Sequence, residues 1–257
     1  GYARVTGKAG VCVVTSGPGA TNLVTGIADA MLDSVPIVCI TGQVVKDYLG
    51  TDAFQETDML GITMPITKWN HQITHADEIP YIIAKAFFIA QNGRPGPVVI
   101  DITKNAQTET LEYESVTING LENFDPRPAL DHLKIDEAAT LINQAEKPLM
   151  LVGHGVLISG AAKEVMQLAE RGDIPLSLTL HGLSAVPASH PQYVGMLGMH
   201  GNYGPNLLTN EADLLIAIGM RFDDRVTGNV SKYATKAKMI HIDIDNAELN
   251  KNVPSTI

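Results

Sequence analysis

Short apolar runs alternate with segments of helical periodicity along the first hundred residues. The runs VCVVT (11–15), PIVCIT (36–41) and PVVIDI (97–102) predict buried strands. Their nearly continuous Val and Ile content favours a parallel sheet that is covered on both faces. The intervening residues 20–33 and 76–92 repeat apolar side chains at helical spacing and predict helices.

The same alternation returns in the second half of the chain. Helices are predicted at 134–146 and 161–172, and strands at 148–155, 174–180, 212–219 and 238–245. Alternation of strands and helices at this spacing predicts an α/β fold with two doubly wound, mostly parallel sheets. The crossovers between parallel strands are expected to be right-handed.

A polar and acidic stretch that ends in two prolines separates the two series. It predicts a surface linker with a short extended piece at 115–118. The expected domains are therefore 1–106 and 129–257, joined by a linker at 107–128.

Composition and charge narrow the function classes. Apolar residues make up 45% of the 257 and charged residues 18%, which is enough to bury a sizeable core. The formal net charge of -10 argues against a nucleic-acid surface or an anionic membrane as partner. No signal peptide and no apolar run of the roughly 18 residues that span a membrane is visible.

Two further features describe the context of the chain. Cys12 and Cys39 lie inside apolar runs without metal-ligand spacing, which predicts buried thiols in a reducing compartment. The chain opens on GYARVTG, without an initiator methionine, as if at the end of a helix. From that opening we expect an internal piece of a longer polypeptide.

Ligands of parallel α/β sheets bind beyond the carboxyl ends of the strands, so the segments there are candidates for chemistry. TSGPGATN (15–22) follows the first strand and allows close backbone approach, although a plain tight turn is an equal alternative. The long segment 42–58 follows the second strand and is either functional or a solvated loop. Its candidate contacts are Gln43, Asp52, Gln55, Glu56 and Asp58.

A third candidate in the first half precedes a strand instead of following one. Arg94 in NGRPG either grips a phosphate from a stiff turn or is a surface arginine.

The second half carries glycine-rich or charged strand ends in the motifs VGHGV (152–156), GMLGMHGNYG (195–204), GMRFDDRVTG (219–228) and IDID (242–245). Each is a weak signal alone, but together they favour a large extended ligand. His200 is by itself more often a structural hydrogen-bonding group than a catalyst. No nucleophilic triad and no metal-ligand spacing is suggested, so no metal site is expected within the chain.

These motifs resemble a known family. TSGPGATN, GTDAFQETD, GRPGPVVIDI, MLGMHG, RFDDRVTG and HIDID are similar, in this order, to the acetohydroxyacid (acetolactate) synthase catalytic subunits. Those are thiamine-diphosphate enzymes of branched-chain amino-acid synthesis. The resemblance implies most of a pyrimidine-binding domain followed by a central FAD-binding domain. It implies that pyruvate condenses with pyruvate or 2-ketobutyrate through a hydroxyethyl carbanion on thiamine diphosphate.

The resemblance also implies site residues. Pro18 and Asn22 would line the aminopyrimidine ring, Gln55 would face the reaction centre, and Arg225 would bind a substrate carboxylate. Met199, Asp224 and Arg225 would lie near the substrate channel. The residues that it places around FAD are Arg94, Gly153, Gly155, Thr179, Leu180, Leu197, Gly198, Met199, His200, Gly219, Arg221, Asp223, Asp224, Arg225, Asp243 and Ile244.

The remaining expectations concern cofactors, partners and alternative functions. The resemblance implies thiamine diphosphate, FAD without a net redox role, and magnesium bound by residues outside this chain. It implies a homodimer or tetramer, a possible small regulatory subunit, and a cytoplasmic or organellar location. These 257 residues alone are expected to be inactive. The alternatives are a related carboligase or oxidase with active flavin, and a non-catalytic FAD- or nucleotide-binding module.

Overall fold

A computed structural model describes residues 1–257 and divides the chain into two compact units, Gly1–Arg127 (unit 1) and Pro128–Ile257 (unit 2). Each unit contains one sheet, and every strand pair in both sheets is parallel. Helices flank both sheets, so the predicted α/β class with two parallel sheets is confirmed.

The bounds of the elements are as follows. The strands are β1 Gly10–Val14, β2 Ile37–Gln43, β3 Trp69–Ile73, β4 Pro97–Thr103, β5 Pro148–Val152, β6 Leu176–Leu178, β7 Tyr193–Met196, β8 Leu214–Ile218 and β9 Lys238–Ile242. The α-helices are α1 Tyr2–Thr6, α2 Pro18–Thr21, α3 Val24–Leu32, α4 Met59–Thr63, α5 Ile79–Gln91, α6 His132–Gln144, α7 His154–Ser159, α8 Ala162–Gly172, α9 Tyr203–Glu211 and α10 Asp224–Thr227. Five short 3-10 helices lie at Lys46–Tyr48, Met64–Ile66, Ala76–Glu78, Leu180–Gly182 and Val230–Lys232.

The sheet of unit 1 has the strand order β1-β2-β4-β3. Helix α5 covers one face of this sheet, because Ile82, Ala86 and Ile89 recur at helical spacing and pack with Val38 and Val98. On the other face, Ile27 of α3 packs with Cys39 and Val99. Neighbouring residues of one strand thus enter opposite cores, which explains the continuous apolar runs in the sequence.

The sheet of unit 2 has the strand order β7-β6-β5-β8-β9. Met150 and Val152 of β5 enter one core, while Leu149 and Leu151 of the same strand enter the other. The chain runs outward from β5 through β6 to β7, and then resumes on the opposite side at β8. This reversal puts a topological switch point between β5 and β8, which is where sheets of this kind bind their ligands.

Several sequence expectations differ from the structure in detail. The helix predicted at 20–33 is interrupted after α2, and the strand predicted at 148–155 stops at Val152 because α7 starts at His154. No strand forms at 115–118, where the sequence predicts a short extended piece of the linker. Between β4 and α6 the single pairing is an isolated bridge between Leu121 and Phe124.

The helices are short. The longest, α5 and α6, have 13 residues each, and no helix has both the length and the apolar character needed to span a membrane.

Candidate functional site

The turn after β1 is shaped by Gly17. Gly17 has φ 56 and ψ -120, a backbone conformation that essentially only glycine adopts, and it precedes Pro18 at the first position of α2. Pro18 and Asn22 are exposed at the start and the end of this single helical turn. The motif predicted as either a tight turn or a ligand wall therefore presents both residues to solvent.

The structure brings Gln55 to this turn. A Cβ atom built on Gly17 would lie 2.9 Å from Cβ and 3.0 Å from the carbonyl oxygen of Gln55, so the two backbones touch. Gln55 itself has φ 60, in the left-handed region, and its side chain is exposed. Gln55 and Pro18, which the sequence places 37 positions apart, thus belong to one surface at the carboxyl ends of β1 and β2.

Glu56 braces the segment that carries Gln55. Its carboxylate accepts hydrogen bonds from the backbone N–H groups of Gly50 and of Ala53, the latter at 3.0 Å. These two donors hold the pKa of Glu56 below its ordinary value of 4.5. The other candidate acid, Asp58, accepts from the Gly61 N–H and caps α4.

A buried carboxylate lies beneath this surface. Asp101 of β4 is inaccessible to solvent and accepts hydrogen bonds from Thr41 Oγ1 at 2.6 Å, Gln72 Nε2 at 2.9 Å and Gln43 Nε2 at 3.1 Å. Burial raises the pKa of Asp101, although its three donors act in the opposite direction. The candidate Gln43 is likewise buried, and points to Asp101 instead of to solvent.

Arg94 lies at the other end of the unit 1 sheet. It precedes β4, on the amino-terminal side of the strands, and its Nε donates to Ser34 Oγ at 2.9 Å. Within unit 1 it is therefore not brought together with Gly17 and Gln55. Its proposed contact with FAD stays a prediction.

In unit 2 the residues predicted to surround FAD follow the ends of all five strands. Gly153 and Gly155 come after β5, and Thr179 and Leu180 after β6. The segments 197–200, 219–225 and 243–244 come after β7, β8 and β9. Because the strands are parallel, these segments share one edge of the sheet.

The glycines at the switch point allow two turns to cross. A Cβ on Gly153 would lie 2.2 Å from the carbonyl oxygen of Gly219, and a Cβ on Gly155 would lie 2.6 Å from Gly219 Cα. The Gly155 N–H donates to the Gly219 carbonyl at 2.9 Å. The turn after β5 is thus locked to the turn after β8, and side chains larger than hydrogen are excluded at both positions.

The MLGMHG segment rests on the RFDDR segment. Met199 N–H donates to the Arg225 carbonyl at 2.7 Å, and the Arg225 guanidinium lies 3.7 Å from Met199 Sδ. Asp223 caps α10 by accepting from the N–H groups of Arg225 and Val226, and its carboxylate lies 3.7 Å from Arg221. The side chains of Met199, Asp224 and Arg225 are exposed on one surface.

A cavity of about 420 Å³ opens beside this surface. Gly198, Met199, Asp224 and Arg225 form one side, and residues of α9 and of the stretch 226–233 form the other. Arg225 also has a side chain that is two-thirds exposed, so its fork of donors is accessible to an anion.

Sequence reasoning missed Asn206. This residue of α9 accepts from the Gly198 N–H and donates to the Gly198 carbonyl, both at 2.9 Å, and so fixes the MLGMHG segment. An amide side chain at the start of a helix, eight positions after a glycine-rich motif, is the one available signal. Asp101 was also missed, although an acid inside the apolar run PVVIDI marks it.

The residues present fit the two organic cofactors that the motifs imply. Counted within unit 2, the strand order is the 3-2-1-4-5 arrangement of dinucleotide-binding sheets. At the carboxyl edge of that sheet Leu180, Met199 and Ile244 expose apolar surface, and the same edge carries Arg221 and Asp243, which suits a ligand of rings and phosphates. Unit 1 offers the exposed Pro18 and Asn22 and the Gln55 amide, which suit a polar heteroaromatic ring. No group of three or more His, Cys, Asp or Glu residues is placed to hold a metal ion.

Comparison with known families shows to which family the chain belongs. The family described as "Thiamine pyrophosphate enzyme, N-terminal TPP binding domain" matches residues 1–62, and "Thiamine pyrophosphate enzyme, central domain" matches residues 135–257. The chain belongs to the thiamine pyrophosphate enzymes. The resemblance found in the motifs is confirmed at this level.

Individual curated proteins are similar to it over nearly its whole length. The probable acetolactate synthase large subunit of Methanocaldococcus jannaschii is 51% identical over 100% of this chain, which covers 44% of that protein. The isozyme 1 large subunit of Escherichia coli is 50% identical, with coverage of 98% and 44%. For the large subunit of Corynebacterium glutamicum the identity is 51%, with coverage of 98% and 40%. The chain therefore spans less than half the length of the curated relatives that it matches.

Proposed function

We propose that these residues belong to an acetolactate synthase catalytic subunit. Two molecules of pyruvate would give acetolactate and CO₂, and pyruvate with 2-ketobutyrate would give the corresponding acetohydroxybutyrate and CO₂. The observation that carries the proposal is the surface where the Gly17–Pro18 turn meets Gln55, set in a chain about 50% identical to acetolactate synthase large subunits.

Unit 1 would contribute the pyrimidine side of the cofactor site. When bound, thiamine diphosphate supplies the electron sink that lets a 2-ketoacid lose CO₂ and react as a nucleophile. Pro18 and Asn22 would line the ring, and the Gln55 amide would orient the reacting carbonyl by hydrogen bonding. Because Gly17 contacts the Gln55 backbone directly, the backbone that carries the Gln55 amide is set in place before any ligand arrives.

Unit 2 would hold FAD at the carboxyl edge of its sheet, without a net redox role, together with part of the substrate channel. Arg225 would bind the carboxylate of a 2-ketoacid through its planar fork, with Met199 and Asp224 beside it. The exposure of the Arg225 side chain suits a group that binds an incoming substrate. Magnesium would be bound by residues other than those described, and Arg94 would contact FAD.

The proposed partners follow from the same relatives. The chain matches proteins named large subunits, so a small regulatory subunit is a proposed partner, as is a second copy of the catalytic subunit. We place the protein in the cytoplasm, or in an organelle in the case of a eukaryotic source.

The test is the reaction of the complete product of the gene that encodes these residues. With pyruvate, thiamine diphosphate, Mg²⁺ and FAD we expect one acetolactate for each CO₂ released, while the flavin stays oxidised under anaerobic turnover. Conversion of pyruvate to acetate with bleaching of the flavin would overturn the proposal in favour of an oxidase. The absence of any 2-ketoacid consumption would overturn it in favour of a binding module.

Two substitutions connect that reaction to the site. Gln55→Ala is expected to lower kcat/KM by about 10²-fold, the usual loss when one preorganised donor is removed. Arg225→Lys is expected to raise KM for pyruvate by about tenfold, because an ammonium group cannot form the two parallel bonds. Wild-type kinetics in both variants would contradict the assigned roles.

A further inference from the structure

We propose that Gln43 and Asp101 are positioning residues, which hold the segment 44–58 so that Gln55 stays against Gly17. The inference rests on the proposed function for its kinetic consequence, but its structural part stands on hydrogen bonds alone. Neither side chain reaches the exposed surface that carries Pro18 and Gln55, because both are buried. Any effect on the reaction must therefore pass through the segment.

Gln43 ties the two ends of the segment together. Its Oε1 accepts from the N–H of Val44 at 2.9 Å, and its Nε2 donates to the carbonyl oxygen of Thr57 at 2.8 Å. One amide group at the end of β2 thus binds the chain where it leaves the sheet and where it returns, 14 positions later. The closed loop keeps its shape without a helix or a strand longer than three residues inside it.

Asp101 determines which way the Gln43 amide faces. An ionised carboxylate can only accept hydrogen bonds, so the amide atom that lies 3.1 Å from Asp101 Oδ2 has to be the nitrogen. With Nε2 directed to Asp101 and Thr57, Oε1 is left for the Val44 N–H. Thr41 and Gln72 also donate hydrogen bonds to Asp101 and fix its own orientation. The carboxylate therefore selects the one amide orientation that closes the loop.

The tie at Thr57 acts close to Gln55. Only Glu56 separates the two residues, and the Glu56 carboxylate fixes the preceding stretch through Gly50 and Ala53. Gln55 has a positive φ, which is strained for a residue other than glycine and persists only where the surroundings enforce it. Release of Thr57 would remove one of the constraints that enforce it.

A purely structural role for these residues is the alternative, since a buried hydrogen-bonded acid also stabilises a sheet. The two readings differ in what they predict for the segment. A general stabilising role changes the unfolding of all of unit 1 and leaves the native segment ordered. A positioning role loosens the segment while the sheet stays intact, and it has no further effect once Gln55 is removed.

Hydrogen exchange on the complete gene product tests the structural part. Gln43→Met keeps the side-chain volume and removes all three hydrogen bonds, and we expect amide exchange in residues 44–58 to rise by about tenfold or more. Asn70→Leu is the matched control, because Asn70 of β3 makes the same kind of side-chain bond, to the Leu60 carbonyl at 2.7 Å, but outside the segment. It should leave exchange in 44–58 within about twofold of wild type. Equal effects of the two variants would overturn the proposal.

A second variant covers the case in which Gln43→Met does not fold. Gln43→Asn retains the amide but is one methylene shorter, so it cannot span Val44 and Thr57 together. It should raise exchange in the same residues, and by less than Gln43→Met. Wild-type exchange in a folded Gln43→Asn protein would overturn the proposal.

A double-mutant comparison tests the kinetic part. If Gln43 acts through Gln55, Gln43→Met lowers kcat for acetolactate in the wild-type background by about tenfold, and by less than twofold in the Gln55→Ala background. Equal losses in both backgrounds would show a merely structural role and overturn the proposal. Absence of acetolactate from the wild type would refute the proposed function, and the exchange result would still decide whether Gln43 orders the segment.

Discussion

At the scale of single residues, a close backbone contact of the candidate site joins Gly17 and Gln55. The contact explains why glycine stands at position 17 more fully than the turn alone does. The backbone there has a positive φ, and the space that a side chain would need is filled by Gln55. Strain and steric exclusion act together at this position.

We predict that Gly17→Ala separates the two segments. The methyl group would have to lie 2.9 Å from Gln55 Cβ. Acetolactate formation by the variant should therefore fall by about 10²-fold or more, and the free energy of unfolding of unit 1 should fall by several kcal/mol. Gly7→Ala is the control, because Gly7 also has a positive φ but nothing lies within 4 Å of its Cβ position. It should cost about 1 kcal/mol in urea unfolding and leave kcat unchanged. Equal losses of activity would disprove the contact.

The two cysteines give a second prediction at this scale. Cys12 and Cys39 are register partners on β1 and β2, and burial together with the neighbouring Cys12 raises the pKa of Cys39 to about 12. At pH 8 only roughly one Cys39 thiol in 10⁴ would then be ionised, and only the thiolate reacts. Mass spectrometry after alkylation of the native protein should find Cys39 unmodified, with full modification in urea. Rapid labelling of native Cys39 would contradict its burial.

At the scale of elements, the segment 44–58 shows how a stretch without regular periodicity becomes ordered. Its shape comes from side chains that replace backbone pairing: Gln43 at the ends, and Glu56 across the middle. None of these bonds has a periodic signature in the sequence. The residue types in the segment were therefore recognisable as candidates, but their separation into buried anchors and exposed contacts was not.

This order should depend on pH through Glu56. The folded pKa lies below the ordinary value of 4.5, so the stabilising effect of the ionised carboxylate is fully present above pH 4.5 and is lost as the pH falls through the lower folded value. Protection factors of the Gly50 and Ala53 amides, measured by NMR, should be constant from pH 7 to 5 and should decrease below about pH 4. In Glu56→Gln the protection should already be lower at pH 7. A pH-independent wild-type profile would show that another group holds these amides.

The strands that the sequence revealed and those that it did not differ in apolar content more than in position, because the edge strands β1 and β9 were predicted from their apolar runs. The buried inner strands β2, β4, β5 and β8 stand out as continuous apolar runs. The two missed strands, β3 and β7, are both edge strands, with residues that are mostly half-buried. In a parallel sheet the apolar signal comes from coverage on both faces, which edge strands receive only partly. Sequences such as WNHQI therefore lack the pattern that identifies a central strand.

At the scale of the whole molecule, the two units are each organised around one parallel sheet, and 104–131 between β4 and α6 contains no helix or strand. The assignment of the class as α/β followed from the alternation of elements alone. The residues of the candidate site could not be grouped from that alternation, because those that meet at Gly17 and at Gly198 come from segments far apart in sequence. Only a resemblance to related motifs grouped them in advance.

Limited proteolysis should reveal this organisation. Glu112 and Glu114 are exposed in the stretch without helices or strands, whereas Glu78 is bound at the start of α5 by the Thr74 and His75 N–H groups. A Glu-specific protease should cleave first within 109–122 and release two protected fragments, identified by mass. Glu78 serves as the internal control and should resist cleavage. Simultaneous cleavage at Glu78 and Glu114 would show that unit 1 is not a stable folded unit.

The amide of Gln43 has a consequence for how this part of the chain can change during evolution. Because the entry and the exit of the segment are joined by one side chain, the number of residues between them is not fixed by the sheet. Closing a longer loop costs little, about 0.6 kcal/mol for each doubling of its length. Insertions near Gly50, where nothing lies within 4 Å of a Cβ atom, can therefore alter the rim of the site, including the hydrogen bond from Gly50 to Glu56, while the sheet beneath keeps its sequence.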